Sequence, residues 1–142
     1  VIVGGGEDTE WLKNKAKKLK LTNYSFEGVQ NPLAYYKRAL IFVMTSACEG
    51  LPMTLLEAQQ MGAVPVVFDS FTSLHDLIEH NTNGIIIKKK DIKKYSESLV
   101  ELMQNQEKRE RLAKNGLESC KKFSPENIVK QWQKLFDEMT IK

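Results

Sequence analysis

Short, wholly apolar runs alternate with segments of helical periodicity from one end of the chain to the other, and that alternation restricts the fold more than any single residue does. Residues 1–3, 23–27, 39–44, 64–68 and 85–87 read as strands. The runs at 39–44 and 64–68 are continuous in apolar character, the mark of strands buried on both faces of a parallel sheet. Between them, Leu12, Ala16 and Leu19 recur at i, i+4 and i+7, which predicts a helix over 9–19. Asn31-Pro32 suits a helix start, because Asn caps free N–H groups and Pro is preset for the first helical position. A helix over 53–61 stops at Gly62, a residue suited to the left-handed position after a helix. A short helix over 74–79 leads to a turn at Asn83-Gly84. Asp91 caps a helix whose inner face is Ile92, Tyr95, Leu99 and Leu102. Further helices cover 107–122 and 124–139, the last with Ile128, Trp132, Leu135, Phe136 and Met139 on a wide apolar face expected to lie mostly in the core. Such alternation predicts an α/β fold, a Rossmann-like doubly wound parallel sheet, with residues 1–142 forming one domain.

Composition sets limits on the chemistry. The 142 residues are 42% hydrophobic and 27% charged, as in ordinary globular domains, and no run approaches the length of a membrane span. Val1 to Gly6 lack the basic leader and long apolar segment of a signal peptide, and read as a chain beginning inside a strand. Cys48 and Cys120 are far apart and, with His75 and His80, lack metal-ligand spacing; reduced thiols and no metal site are expected. The net charge is only +3, with lysines clustered at 13–20 and 88–94. No aromatic interleaving accompanies them, so nucleic acid is not an expected partner. Solvated helix faces account for the lysines, and weak attraction to anionic lipid headgroups is the functional alternative.

In doubly wound sheets ligands bind where strands run into helix N-termini. Three loops qualify: 4–9, 28–32 and 45–52. Gly4 and Gly6 fit the first two positions of G-x-G-x-x-G, but Thr9 stands at the third, so a dinucleotide site with Glu27 as ribose acid is a weak rival. The loop Thr45-Ser46-Ala47-Cys48-Glu49-Gly50-Leu51-Pro52 and the helix after it are more specific. They set Glu49 and Glu57 eight residues apart, on either side of a helix start whose unpaired N–H groups suit phosphate. Carboxylates accept hydroxyl groups. A ligand with phosphates in the middle and sugar hydroxyls on both sides matches, as a nucleoside diphosphate sugar does. A glycosidase-like acid/base pair would leave the anion site unexplained.

Glu49 and Glu57 reproduce the E-x7-E motif, and the chain resembles the C-terminal domain of the group 1 family of retaining glycosyltransferases, which have the two-domain GT-B fold. Val3-Gly4-x-Gly6, Phe26-x-Gly28-Val29, Gly62-x-x-Pro65-Val66, Asn83-Gly84 and Phe123-Ser124 extend the resemblance over essentially the whole chain. The resemblance implies that Glu57 holds the ribose hydroxyls and that Glu49, the candidate catalytic residue, binds sugar hydroxyls near the reacting carbon. Backbone groups of Gly50, Leu51, Pro52, Met53 and Thr54 would contact sugar and diphosphate. Gly6 would lie at the donor, and Val29 would line the nucleobase pocket. The family's diphosphate-binding Arg and Lys would lie upstream of Val1. After Asp69 the family often has a Gly-Gly turn, where this chain reads Ser70-Phe71-Thr72-Ser73.

The expected function is donor binding in a hexosyltransferase that uses a UDP- or GDP-type sugar, with no separate cofactor and no metal. It would serve cell-surface polysaccharide or lipopolysaccharide synthesis. Expected partners are the N-terminal domain of the same enzyme and a glycan or lipid-linked acceptor. The expected location is the cytoplasm, with the lysine clusters leaving open peripheral association at the inner face of the membrane. The alternatives are a non-catalytic nucleotide-binding module and a GT-B epimerase or phosphorylase.

Overall fold

The computed structural model describes residues 1–140. The chain divides into two compact units, the first Val1–Tyr35 and the second beginning at Tyr36.

In the first unit, the two strands expected at its start reduce to one parallel bridge, Ile2 with Phe26. The Ile2 N–H donates to the Ser25 carbonyl and the Ile2 carbonyl accepts from the Glu27 N–H, each at 2.9 Å. Beyond Ile2 the two segments share only the bond from the Gly4 N–H to the Gly28 carbonyl, too little for a ladder, which needs several paired residues in succession. Helix α1 (Thr9–Lys18) follows, with Ala16 buried, and Lys20 leaves it at a φ of 53°. Helix α2 (Leu33–Tyr36) begins as expected, the Asn31 side chain accepting from the Leu33 N–H at 3.0 Å.

The second unit runs β1 (Ile41–Met44), α3 (Met53–Gln60), β2 (Val64–Asp69), α4 (Leu74–Leu77), β3 (Ile85–Lys88), α5 (Ile92–Gln104), α6 (Gln106–Cys120), a 3-10 turn (Lys121–Phe123) and α7 (Pro125–Thr140). The strands form a parallel sheet in the order β1-β2-β3, Ile41 opposite Val64 and Val66 opposite Ile85. Side chains alternate across β2. Val64, Val66 and Phe68 pack with Ile85, Ile87, Tyr95, Leu102 and Leu112. Val67 packs with Leu55, Leu56, Leu74 and Leu77. Both faces of the central strand are therefore covered, as the sequence implies. Each such aliphatic side chain contributes about 1.5–3 kcal/mol by leaving water.

Two expectations fail in this unit. β1 is not buried on both faces: Val43 is 51% exposed, because β1 is an edge of this sheet and only β2 is flanked on both sides. Helix α7 has no buried residue, so its apolar face, with Trp132 and Phe136 stacked at 5.7 Å, is exposed and not core. It leaves the sheet layers through the 3-10 turn, and the Trp and Phe shield mainly each other.

Pro65 sits inside the central strand, a position that normally excludes proline. The Val64 N–H donates toward β1, to the Leu40 carbonyl at 3.0 Å. By alternation the donor missing at Pro65 would face the β3 side, where paired residues start only at Ile85. The proline ring fills the space beside Gly84, where a Cβ would come within 2.8 Å of Pro65 Cγ and 3.0 Å of Ile78 Cγ2. Asn83 is buried beside it: its Nδ2 donates to the Leu77 carbonyl and to Ser119 Oγ, and its Oδ1 accepts from the Glu79 N–H. Buried Gln59 donates to the Asn83 carbonyl at 3.1 Å, so α3, α6 and the turn before β3 are joined by satisfied polar groups. The Asn83-Gly84 pair thus has a packing role.

Candidate functional site

The loop between β1 and α3 carries Glu49, and α3 itself carries Glu57. Tyr95 fixes the strand that feeds the loop. From α5, its hydroxyl donates to the Val66 carbonyl at 2.6 Å, accepts from the Met44 N–H at 3.2 Å, and lies 3.2 Å from the Met44 carbonyl. Burial pushes the Tyr95 hydroxyl up to about 12, with the backbone bond to Met44 a lesser, lowering influence. It therefore stays protonated wherever the protein works, and ties the last residue of β1 to the middle of β2.

Helix α3 begins as the sequence predicts. Pro52, buried and extended at a φ of −74°, is its N-terminal cap residue, and no side chain caps the helix. The Pro52 carbonyl accepts from the Leu55 N–H at 3.1 Å and the Leu56 N–H at 3.5 Å. Among the described residues, no amide from Ala47 to Thr54 donates to another group of the protein. Gly50, Leu51, Met53 and Thr54 are exposed, and Glu49 and Glu57 are half-buried. The loop thus presents a run of amide donors between two partly screened carboxylates. At the other end of α3, Gly62 takes the left-handed conformation expected of it, with φ at 85°.

Glu57 has a partner that the sequence did not single out. Tyr36 is buried against Ala58 and Ala63, and its hydroxyl is raised in pKa by burial first, then by the Glu57 charge and a hydrogen bond to that carboxylate. Tyr36 lies 21 positions before Glu57 with no periodicity linking them, so only folding reveals the pair. Three donors hold the carboxylate loop from behind: Ser70 Oγ donates to the Ser46 carbonyl at 2.6 Å, Lys89 Nζ to the Ala47 carbonyl at 3.1 Å, and Ser73 Oγ to the Gly50 carbonyl.

Gly6 and Val29 belong to the first unit. There the Gly4 N–H donates to the Gly28 carbonyl at 2.7 Å, and a Cβ on Gly5 would stand 3.4 Å from Val29 Cγ2. The glycine loop and Val29 are therefore neighbours, and Val29 is 84% exposed. The Gly6 N–H is taken by the Thr9 hydroxyl at 3.1 Å, which leaves Gly6 no spare amide. Gly4 and Gly28, at φ of 127° and 69°, need the freedom of glycine.

A separate cavity of about 570 Å³ lies in the second unit, lined by Asp69, His75, His80, Lys88 and Lys122 among others, and by none of residues 49–57. Its polar groups are engaged within the protein: His75 Nε2 meets Asp69 Oδ1 at 3.1 Å, and His80 Nδ1 accepts from the Ile86 N–H at 3.0 Å. Lys122 Nζ donates to the Asp76 carbonyl. Size alone does not make it the chemical site: Asp69, Asp76 and Glu79 line it, but none of the amides at the start of α3 does. Among the described residues no cluster of three or more His, Cys, Asp or Glu could hold a metal, and no helix is long and apolar enough to cross a membrane.

The model of the family described as "Glycosyl transferases group 1" matches residues 1–119. The chain belongs to the group 1 glycosyltransferases. Among curated group 1-like relatives, it is 26% identical over 140 residues to the poly(glycerol-phosphate) alpha-glucosyltransferase of Bacillus subtilis, covering 97% of this chain and 21% of that protein. It is 27% identical over 139 residues to the GalNAc-alpha-(1->4)-GalNAc-alpha-(1->3)-diNAcBac-PP-undecaprenol alpha-1,4-N-acetyl-D-galactosaminyltransferase of Campylobacter jejuni, covering 98% of this chain and 39% of the other. Among solved glycosyltransferases, Staphylococcus aureus TarM superposes with a TM-score of 0.87 at 25% identity, over 95% of this chain and 28% of that one. The pneumococcal O-GlcNAc transferase GtfA, solved with UDP and GlcNAc, gives 0.85 at 21% identity, over 99% and 29%. The fold is thus the Rossmann-like α/β domain of the C-terminal half of a GT-B glycosyltransferase, and the chain spans well under half the length of these relatives.

Proposed function

We propose that this chain is the donor-binding domain of a retaining hexosyltransferase, and that residues 49–57 hold a nucleoside diphosphate sugar. The observation that carries the reading is the uncapped start of α3, with its free amides set between Glu49 and Glu57. Glu57, steadied by Tyr36, accepts from the ribose hydroxyls, and Glu49 accepts from sugar hydroxyls beside the anomeric carbon. The amides of Gly50, Leu51, Met53 and Thr54 face the sugar and diphosphate, and Pro52 fixes their direction. Within the first unit, Val29 and the Gly4 to Gly6 turn beside it form a surface suited to a nucleobase. In the reaction the anomeric C–O bond breaks with its electron pair left on the diphosphate, the acceptor oxygen bonds to that carbon, and the acceptor hydroxyl's proton passes to the departing diphosphate. Amide donors and cations meet the charge that builds on the departing diphosphate, so no cofactor or metal is invoked.

Relatives point to the setting. They include a poly(glycerol-phosphate) glucosyltransferase, an amylovoran biosynthesis glycosyltransferase of Erwinia amylovora and a capsular polysaccharide glycosyltransferase of Staphylococcus aureus. We therefore assign this chain to cell-surface polysaccharide or lipopolysaccharide synthesis in the cytoplasm, on a glycan or lipid-linked acceptor held by an N-terminal domain. The lysines of α1 and of residues 88–94 would favour the inner face of the membrane. Residues 1–142 alone are then a nucleotide binder without turnover.

Titration with UDP, GDP and NAD tests the reading. Glu57→Gln removes the charge from an acceptor of hydroxyl donors, a contact type worth about 1.5–3 kcal/mol, and so lowers affinity for the preferred nucleotide diphosphate by roughly ten- to a hundredfold. Preferential NAD binding, or equal binding by Glu57→Gln, would overturn it.

A further inference from the structure

Three side chains outside residues 49–57 converge on the carbonyls of the carboxylate loop. Ser70 and Ser73 come from the segment between β2 and α4, and Lys89 from the turn after β3. They donate to the carbonyls of Ser46, Gly50 and Ala47 respectively. A trans peptide is planar, so its C=O and the N–H of the next residue point in opposite directions. Tying those three carbonyls back therefore turns the amides of Ala47, Cys48 and Leu51 away from the anchors. None of these amides donates to another group among the described residues. A loop held in this way by chance would be expected to spend some of its own amides internally; here the carbonyls are consumed and the amides are spared.

We propose that Ser70, Ser73 and Lys89 are positioning residues, which fix the loop so that its amides converge on the diphosphate of the donor. This rests on the donor-site reading above and adds to it the groups that preorganise the anion cradle. Ser70 has a second acceptor, the Phe68 carbonyl at 3.3 Å, which ties the clamp to the end of the central strand. The cradle of this chain is thus set by side chains as well as by its own backbone.

The experiment compares wild type with Ser70→Ala/Ser73→Ala, Ser73→Thr and Lys89→Ala in residues 1–142. Order parameters of the Cys48 and Leu51 amides are measured without ligand, and UDP and GDP affinity by titration. Denaturant midpoints control for folding. In wild type these amides should be rigid, near about 0.85, falling below about 0.6 in the double alanine variant. Affinity for the preferred nucleotide should fall about tenfold, because the freed loop must then be ordered on binding, while the midpoint falls only by what two hydrogen bonds contribute and the denaturant slope stays constant. Ser73→Thr, which keeps the hydroxyl, should leave both readouts near wild type, and Lys89→Ala should cost less than the double variant. Unchanged order parameters and affinity in the double variant overturn the proposal, as does an affinity loss with no fall in the order parameters. Wild type that binds neither nucleotide sinks the donor-site reading and with it the anion-facing role of the amides. Order parameters unchanged by the substitutions would overturn the anchoring itself, whatever binds.

Discussion

Replacing Tyr95 with Phe removes one buried oxygen and nothing else, which makes it a sharp probe of how the site loop is supported. The hydroxyl contacts the Met44 N–H at the end of β1 and the Val66 carbonyl in the middle of β2. Leaving a buried donor or acceptor unpaired costs about 1–3 kcal/mol each, but the two freed groups face each other and can partly re-pair. A net loss of about 1–3 kcal/mol is therefore expected, read as a lower denaturant midpoint at constant slope. The pH dependence gives a second, independent magnitude. Burial raises the hydroxyl from its ordinary value of 10.0 to about 12 in the folded chain. A raised folded pKa means the stabilisation is complete below pH 10 and is lost as pH rises toward 12, because only the unfolded chain gives up this proton in that window. At about 1.4 kcal/mol per pH unit the loss totals roughly 2–3 kcal/mol. Other groups titrate there too, so the quantity to measure is the difference between wild type and Tyr95→Phe at pH 9, 10, 11 and 12. The gap should close as pH rises. A gap that stays constant would refute the claim that the clamp acts through a protonated, buried hydroxyl.

Two further outcomes follow from the packing and the site. Gly84→Ala should destabilise the chain by about 1–3 kcal/mol, since the added carbon would meet Pro65 Cγ at 2.8 Å and the Pro65 carbonyl at 3.2 Å; thermal denaturation checks this. Cys48 is exposed within the carboxylate loop, whereas Cys120 is buried and its thiol is raised in pKa by burial. A maleimide should therefore modify Cys48 alone, and saturating nucleotide diphosphate should slow the reaction; equal rates with and without nucleotide would place the ligand elsewhere.

Much of this protein was legible without coordinates, and the legible parts share a cause. Continuous apolar runs and period-3.6 patterns, a proline at a helix start, Asn31 and Asp91 as caps and Gly62 as a stop all act over a few residues, so the sequence determines them locally. Asp91 accepts from the Lys94 N–H at 2.9 Å as its position implies. The spacing of Glu49 and Glu57 about the start of α3 belongs to the same class, because a loop, a proline and one helical turn fix it. Tertiary structure decided what depends on distant segments meeting. Whether β1 or β2 lies between neighbours depends on sheet order, so Val43 is exposed although its run is as apolar as that of Val66. The face of α7 reads as core by periodicity, yet burial requires a partner surface that no local pattern supplies. Tyr36 beside Glu57, Tyr95 across β1 and β2, and Ser70, Ser73 and Lys89 on one loop are pairings between segments far apart in the chain. Sequence by itself set which residues flank the start of α3; only the fold decided what holds them in place.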